Sequence, residues 1–237
     1  MNIAILLSGG KGIRLSSDIP KQYIKVNEKM IVSYSLEELY QHSEIDYIVI
    51  VSAPEWKHAI EESLVCKDNV FFANPGLNRQ LSIYNALKVI ENNIIKKQQD
   101  NNYDALSQRV YVFIHDAARP NLTSEMISKY LSEVKGHDGL LPVLSMKDTV
   151  YYSEDGKQVD KLLDRSKIYA GQAPEVFDFA KYYQACKVLL PDKILSINGS
   201  TEPAILAGMD IVMVPGQENN YKITTKNDLE KFIQSQK

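Results

Sequence analysis

The chain has 237 residues, of which 44% are hydrophobic and 24% charged, a composition typical of a globular protein. Its 27 Lys and Arg residues against 30 Asp and Glu give a net charge of -3, which argues against a nucleic-acid or membrane-surface partner. No apolar run approaches the ~20 residues of a membrane span, so we expect no membrane partner. Two cysteines outside any C-x-x-C pair are typical of the cytoplasm, where we expect this protein.

Short apolar runs alternate with longer amphipathic segments along the chain. The apolar runs predict buried strands at residues 3–7, 47–51, 110–114, 140–144 and 211–214. The amphipathic segments predict helices near residues 31–41, 55–64, 79–92, 123–134 and 226–234. Continuously apolar strands separated by helices indicate an α/β fold, with a mainly parallel sheet and helices on both faces.

Residues 148–172 interrupt this alternation. β-Favouring residues lie on both sides of Asp155-Gly156, a pair typical of a hairpin turn. A hairpin inserted so late has little core to join, so Tyr151 and Leu162 need another apolar surface. We expect a protruding β-arm that dimerises with a second copy of the chain, within a single domain of residues 1–237; an exposed flap is the alternative.

The first predicted strand leads into a glycine-rich, basic loop. In an open α/β sheet, ligands bind at the carboxyl ends of the strands, where this loop must lie. Glycine lets backbone N–H groups approach an anion, and four basic residues against one Asp make residues 8–25 locally +3. The pattern predicts a phosphate-binding loop; a glycine-rich turn with solvated basic side chains is the alternative. Gly12 after Lys11 excludes a P-loop, and Leu15 at the third glycine position excludes a dinucleotide fingerprint.

A second candidate site follows the predicted strand at 110–114. Asp116 comes just past the end of that strand and faces the same ligand crevice as the glycine loop. Mg²⁺ takes one or two carboxylates together with water and substrate phosphates, so Asp116 alone could hold it when a nucleotide supplies other oxygens. Arg119 could instead make Asp116 a structural ion pair. His115 is expected to pack rather than to ligate, because no other histidine lies at metal-site spacing.

Five motifs occur in one order along residues 2–233. They are LLSGGKGIRL with PKQYI, GLNRQLSIYNAL, FIHDAARP, DTV leading to LDR, and NNYKITTKNDL. Together they resemble the cytidylyltransferases that act on 2-C-methyl-D-erythritol 4-phosphate or ribitol 5-phosphate. The resemblance implies a Rossmann-like, homodimeric enzyme that makes a CDP-alcohol and pyrophosphate from CTP and a polyol phosphate.

The resemblance also implies roles around the nucleotide. Arg14 and Lys21 would bind the triphosphate, Lys222 would contact the α-phosphate, and Asp116 would ligate Mg²⁺. The nucleotide-binding residues would be Leu7, Ser8, Gly9, Gly10, Gly12, Arg79 and Ser82, with the last two helping to recognise cytosine and ribose.

For the acceptor, the resemblance implies two residues. Arg165 of the arm would cross to the partner subunit and bind the acceptor's phosphate, and Thr201 would contact the acceptor.

Several residues depart from the methylerythritol enzymes. Where those enzymes usually have Thr-Pro-Gln, this chain has Ala173-Pro174-Glu175, and where they have Thr-Asp-Asp-Ala-Ser, residues 201–205 are TEPAI. Asn219 occupies a position where the family usually has an aspartate that is a second metal ligand. Pro54-Glu55-Trp56 is more similar to the ribitol-type and polysaccharide-cluster members, whereas the HDAARP motif favours the isoprenoid ones. The sequence therefore slightly favours an alditol phosphate as acceptor, and leaves open whether the product serves isoprenoid synthesis or a cell-surface polymer.

Two other functions stay open at this stage. One is a nucleotidyltransferase that uses another sugar phosphate or another NTP, because a glycine-rich loop with Arg and Lys is shared across a wider superfamily. The other is a non-catalytic nucleotide-binding module, suggested by Asn219 and the altered acceptor segment.

Overall fold

The computed structural model describes residues 1–10, 19–64, 68–97 and 109–236. The first elements are β1 (Asn2–Leu7), β2 (Lys25–Val26), β3 (Lys29–Met30), α1 (Ile31–Gln41), β4 (Tyr47–Val51), α2 (Pro54–Glu62), β5 (Val70–Ala73), α3 (Arg79–Ile90) and β6 (Tyr111–Asp116). They are followed by α4 (Ser124–Glu133), β7 (Gly139–Ser145), β8 (Val150–Tyr152), β9 (Lys161–Leu163), β10 (Tyr169–Gly171), β11 (Glu175–Asp178), α5 (Phe179–Lys187), α6 (Glu202–Leu206), β12 (Ile211–Pro215) and α7 (Lys226–Ser235).

The main sheet is mixed and mostly parallel. Strands β6, β1, β4 and β5 run parallel in that order, and β12 runs parallel to β7. Strand β11 joins the two parts, because it pairs antiparallel with both β6 and β7, and β10 pairs antiparallel with the end of β7. The predicted α/β class is confirmed.

Helices cover both faces of this sheet. On β1, Ala4 and Leu6 point to one face and Ile3 and Ile5 to the other, as the two-residue period of a strand requires. Helices α1, α2 and α4 pack on the first face, and α3, α5 and α6 pack on the second. Because β1 and β6 lie between both layers, their carboxyl ends are held in a fixed position, and the candidate site residues lie there.

The five predicted strands and five predicted helices all form, whereas helix α5 and several short elements were missed. Strand β6 continues to Asp116, so this residue is the last of the strand rather than the first beyond it. Strand β5 is too short to show a period in the sequence, and β11, with the sequence EVFD, begins and ends in a carboxylate that is buried in the fold.

The predicted hairpin forms, with narrower limits than 148–172. Strands β8 and β9 pair as a separate two-stranded sheet, and Gly156 in their connection has a φ of 70°. The last part of the predicted segment, β10, belongs to the main sheet instead. The side chains of Tyr151 and Leu162 are 58% and 65% exposed, so in a single chain the hairpin buries neither.

No helix in the described ranges is long and apolar enough to cross a membrane.

Candidate active site

A cleft of about 570 Å³ opens at the carboxyl ends of β1, β4 and β6. Its walls come from the glycine loop, the short helical turn at residues 21–23, the start of α3, the end of β6 and the segment before α7. The residues that line it are Leu7, Gly9, Gly10, Lys21, Gln22, Val51, Gly76, Leu77, Asn78, Arg79, Ser82, Asp116, Ala118 and Lys222. This is the place predicted for the ligand from the strand order.

The glycine loop is held by two buried side chains behind it. The Gln22 amide donates hydrogen bonds to the carbonyls of Ser8 (2.6 Å) and Gly10 (2.7 Å), and the Tyr23 hydroxyl donates to Ser8 O (2.9 Å). A Cβ on Gly9 would lie 2.6 Å from Pro75 Cβ, so this position requires glycine. In a trans peptide, the C=O of one residue and the N–H of the next point in opposite directions. Because the Ser8 carbonyl points to Gln22, the Gly9 N–H points away from Gln22 and is available to an anion.

Asp116 is surrounded by basic side chains. Its Oδ1 accepts hydrogen bonds from Arg79 Nε (3.2 Å) and Nη2 (3.1 Å), and its Oδ2 accepts one from Lys222 Nζ (2.8 Å). Arg119 Nε lies 3.8 Å from Oδ2, so the ion pair weighed as an alternative is formed, but more loosely than the other two. Asp116 therefore holds three cations at one wall of the cleft.

These charges determine the protonation of the site. Burial by itself would raise the pKa of Asp116, but Arg79, Lys222 and Arg119 together hold it well below its usual range. Burial lowers the pKa of the Arg79 guanidinium, and the carboxylates of Asp116 and Glu175 more than compensate, so its pKa is raised overall. Asp116 is consequently an anion, and Arg79 a cation, near neutral pH.

Lys222 reaches the cleft because its segment is tied to the end of β6. Ile223 N donates to Ala118 O (2.8 Å), and Arg119 Nη1 donates to Asn220 O (2.7 Å). Lys21 Nζ donates to Ile223 O at 2.5 Å. The two lysines, 201 positions apart in sequence (222 minus 21), thus lie at the same rim of the sheet.

Arg79, which was predicted to help recognise cytosine and ribose, lines the cleft and points its guanidinium at carboxylates. It begins α3, which Asn78 caps by accepting a hydrogen bond from Leu81 N, and its guanidinium turns to Asp116 and, at 3.5 Å, to Glu175. Ser82 lines the cleft, but its hydroxyl accepts from Gly76 N and donates to Asn78 O. The Arg79 guanidinium therefore contacts two carboxylates, and the Ser82 hydroxyl ties together the loop that precedes α3.

The remaining predicted residues lie apart or outside the described chain. Arg14 and Gly12 are not among the described residues. Arg165 lies on the exposed arm, where its Nη1 donates to Lys147 O (2.6 Å), and the cleft residues of its own chain do not include it. Thr201 is buried at the start of α6, next to Ser200.

His115 packs, as expected. It is fully buried, and its Nε2 donates to Arg119 O (2.9 Å) and lies 3.3 Å from Ser35 Oγ. Burial lowers the pKa of His115 to about 4, so the imidazole is neutral near pH 7.

Three contributors to the site were not predicted. Gln22 was noted only as part of the PKQY motif, Glu175 only as a departure from the family, and Asn220 only as a neighbour of Asn219. Buried polar side chains in segments with strand or turn character were the signal that could have identified them, since such groups require partners. Asn219 contributes a backbone carbonyl to Asn121 and does not line the cleft.

The chemistry of Asp116 fits a magnesium ion. It is an ionised carboxylate on the cleft wall, beside basic groups suited to the phosphates that would supply further ligands. A metal ion at Asp116 would share the two carboxylate oxygens with Arg79 and Lys222 or displace one of these side chains.

An α/β sheet with a glycine loop, basic side chains and the Asp116 carboxylate at its carboxyl edge is typical of a nucleotidyltransferase. The comparisons with known proteins narrow this class. The family described as IspD, 2-C-methyl-D-erythritol 4-phosphate cytidylyltransferase, matches residues 2–233. The chain belongs to this family and is a CTP-dependent cytidylyltransferase, which confirms the enzyme class expected from the motifs.

Individual relatives agree along the whole length. The 2-C-methyl-D-erythritol 4-phosphate cytidylyltransferase of Thermotoga neapolitana is 31% identical, over 97% of this chain and 94% of its own. That of Petrotoga mobilis is 32% identical, over 97% and 96%. Among solved structures, the Francisella tularensis enzyme of the same description has a TM-score of 0.77 at 26% identity, over 98% and 97% of the two chains. The Anaerococcus prevotii 4-diphosphocytidyl-2C-methyl-D-erythritol synthase has a TM-score of 0.79 at 22% identity, over 99% and 95%, and shows the shared fold.

Proposed function

We propose that the protein transfers CMP from CTP to 2-C-methyl-D-erythritol 4-phosphate, releasing pyrophosphate. The observation that carries this proposal is the contact of Arg79 and Lys222 with the ionised Asp116, in a cleft that Lys21 and a glycine loop also line. The family match over residues 2–233 supports CTP as the nucleotide and this acceptor over others. We place the reaction in the cytoplasm, where CTP is available.

In the reaction, a phosphate oxygen of the acceptor bonds to the α-phosphorus of CTP, and the bond from that phosphorus to the β-phosphate bridging oxygen breaks. A phosphate monoester has a second pKa near ~6 and is largely dianionic at neutral pH, so no general base is needed. What the protein must overcome is repulsion between two anions. Lys222 would contact the α-phosphate, and Lys21, with Arg14, would hold the triphosphate.

Magnesium is the metal we propose, held by Asp116 together with nucleotide oxygens and water. When bound, it would neutralise charge on the phosphates as pyrophosphate leaves. The chain's own residues would orient the nucleotide: Gly9 and Gly10 allow close approach of the backbone, while Gln22 keeps their peptide planes in place.

The acceptor proposed here, 2-C-methyl-D-erythritol 4-phosphate, differs from the alditol phosphate that the sequence alone slightly favoured. The comparisons do not support a preference for an alditol phosphate, and they favour the methylerythritol compound. We propose that Thr201, which is buried beside Ser200, lies near the acceptor pocket rather than presenting a freely exposed hydroxyl.

We further propose a single-domain homodimer in which the β8–β9 arm packs on a second copy of the chain. The arm exposes more than half of the surface of each of three apolar residues, Tyr151, Val159 and Leu162. An exposed apolar patch of this kind is typical of a protein–protein interface. Arg165 follows β9 on this arm and would reach the partner's acceptor site from there.

The test is pyrophosphate release with each of the four NTPs and with methylerythritol, ribitol, arabinitol, mannitol and glycerol phosphates. We expect the highest kcat/KM with CTP and methylerythritol phosphate, and loss of turnover in Asp116→Ala. A higher kcat/KM with ribitol phosphate would overturn the acceptor assignment. Tight CTP binding without pyrophosphate release for any acceptor would instead identify a non-catalytic nucleotide-binding module.

A further inference from the structure

Glu175 is a buried carboxylate that the proposed reaction does not use. It is 7% exposed, and in β11 it pairs with Ile114 of β6, two residues before Asp116. Its Oε2 lies 3.5 Å from Arg79 Nη2, and its Oε1 accepts a short hydrogen bond from Ser200 Oγ. A carboxylate is costly to bury, so its position behind Arg79 requires an explanation.

Arg79 lies between two carboxylates. Its Nη2 is 3.1 Å from Asp116 Oδ1 and 3.5 Å from Glu175 Oε2, so the two carboxylates share one nitrogen of the guanidinium. The Glu175 carboxylate itself is fixed, because Ser200 holds it and the Ser200 carbonyl accepts a hydrogen bond of 2.6 Å from the Tyr182 hydroxyl.

The proposed function requires Asp116 to bind a metal–nucleotide complex while it contacts basic side chains. Both oxygens of Asp116 carry basic partners, Arg79 on Oδ1 and Lys222 on Oδ2. A metal–nucleotide complex bound at Asp116 would compete with both of them for the two carboxylate oxygens and would bring further positive charge beside them. Lys222 has the α-phosphate as its next partner, whereas Arg79 has a carboxylate already in contact.

We propose that Glu175 is a positioning residue for Arg79: together with Ser200 it retains the guanidinium on the cleft wall when Asp116 binds the metal–nucleotide complex. This inference rests on the proposed CTP-binding function.

The test measures metal binding directly, with no acceptor present. Free Mn²⁺ is followed by electron paramagnetic resonance as it is titrated into the full-length protein with α,β-methylene-CTP, which cannot release pyrophosphate. We expect Glu175→Gln to weaken Mn²⁺ binding about tenfold, the lower end of what loss of a residue behind a metal ligand costs. Ser200→Ala, which frees the Glu175 carboxylate without removing its charge, is expected to weaken binding severalfold and serves as the test if Glu175→Gln does not fold.

A double-mutant cycle separates retention of Arg79 from a simple effect of charge. If Glu175 acts through Arg79, then Glu175→Gln changes Mn²⁺ affinity little in an Arg79→Gln background. If its charge attracts the metal directly, the tenfold effect persists there and the inference is overturned. Asp178→Asn is the matched control. Asp178 lies at the other end of β11, and its Oδ2 is 2.9 Å from Arg109 Nε, so the substitution removes a paired carboxylate away from Arg79. We expect wild-type Mn²⁺ affinity from this variant.

The outcomes also distinguish this inference from the proposed function. Wild-type Mn²⁺ affinity in both Glu175→Gln and Ser200→Ala would overturn the inference and leave the CTP-dependent activity standing. Failure of the wild-type protein to bind Mn²⁺ with the CTP analogue would overturn both.

Discussion

Replacing Lys222 by alanine tests the charge arrangement of the site most directly. Lys222 Nζ lies 2.8 Å from Asp116 Oδ2, and the side chain is 35% exposed, so the ammonium is fixed in position and still open to the cleft. Loss of one preorganised contact to a developing charge costs about 3 kcal/mol of transition-state stabilisation. At about 1.4 kcal/mol per tenfold, Lys222→Ala should lower kcat at least a hundredfold.

The same substitution should leave the fold nearly intact. Asp116 keeps Arg79 at 3.1 Å, and a partly exposed ion pair contributes no more than about 1 kcal/mol. The expected decrease in Tm is therefore about 2–4 °C for a chain of this size.

Two measurements check this prediction: steady-state pyrophosphate release with CTP and methylerythritol phosphate, and thermal unfolding of the same samples. Lys226→Ala is the control, because Lys226 is exposed four positions further on, at the start of α7, and should keep wild-type kcat. A kcat for Lys222→Ala within a few-fold of wild type, with the fold intact, would refute the reasoning.

Three further predictions concern the same molecule. Lys21→Ala should also lower kcat at least a hundredfold in the pyrophosphate assay while the protein stays folded, and a near-normal rate would remove Lys21 from the mechanism. Because the pKa of buried His115 is lowered to about 4, the unfolded state binds a proton that the folded state refuses between pH ~6.5 and 4. As the pH is lowered from ~6.5 to 4, the contribution of His115 to the free energy of unfolding should therefore fall by about 1.4 kcal/mol per pH unit, measured by urea titration. This contribution should be absent in His115→Asn, and equal pH slopes in the two proteins would contradict it. Asp228→Asn, which weakens the capping box of α7, should cost about 1 kcal/mol of stability by urea unfolding, against no change in the exposed control Glu230→Gln; equal losses would contradict a capping role.

The long elements could be predicted from sequence because their patterns are local. The apolar run that forms β1 and the Thr123 and Thr225 caps of α4 and α7 carry their signal within a few residues. Strands β5, β10 and β11 could not, since each has only three or four residues and is defined by its neighbours in the sheet.

The site was predictable in its composition and not in its contacts. The glycine loop, Asp116 and Lys222 were identified by motif, and the cleft contains them. That Arg79 turns to Asp116 depends on where α3 begins relative to β6, and no spacing in the sequence expresses that relation. The comparisons do not support the preference for an alditol phosphate, which came from a few altered residues weighed without the whole-chain similarity.

By itself, then, the sequence determined the α/β class and the cytidylyltransferase family and predicted a phosphate-binding loop, because periodicity and motif are properties of short stretches of chain. Only the tertiary structure decided which charges face each other: Lys222 against Asp116 across 106 positions, and Glu175 behind Arg79 across 96. Those pairings arise from the crossing of strands and loops distant in sequence, and the electrostatic energy of each depends on separations of about 3 Å that only the packed fold sets.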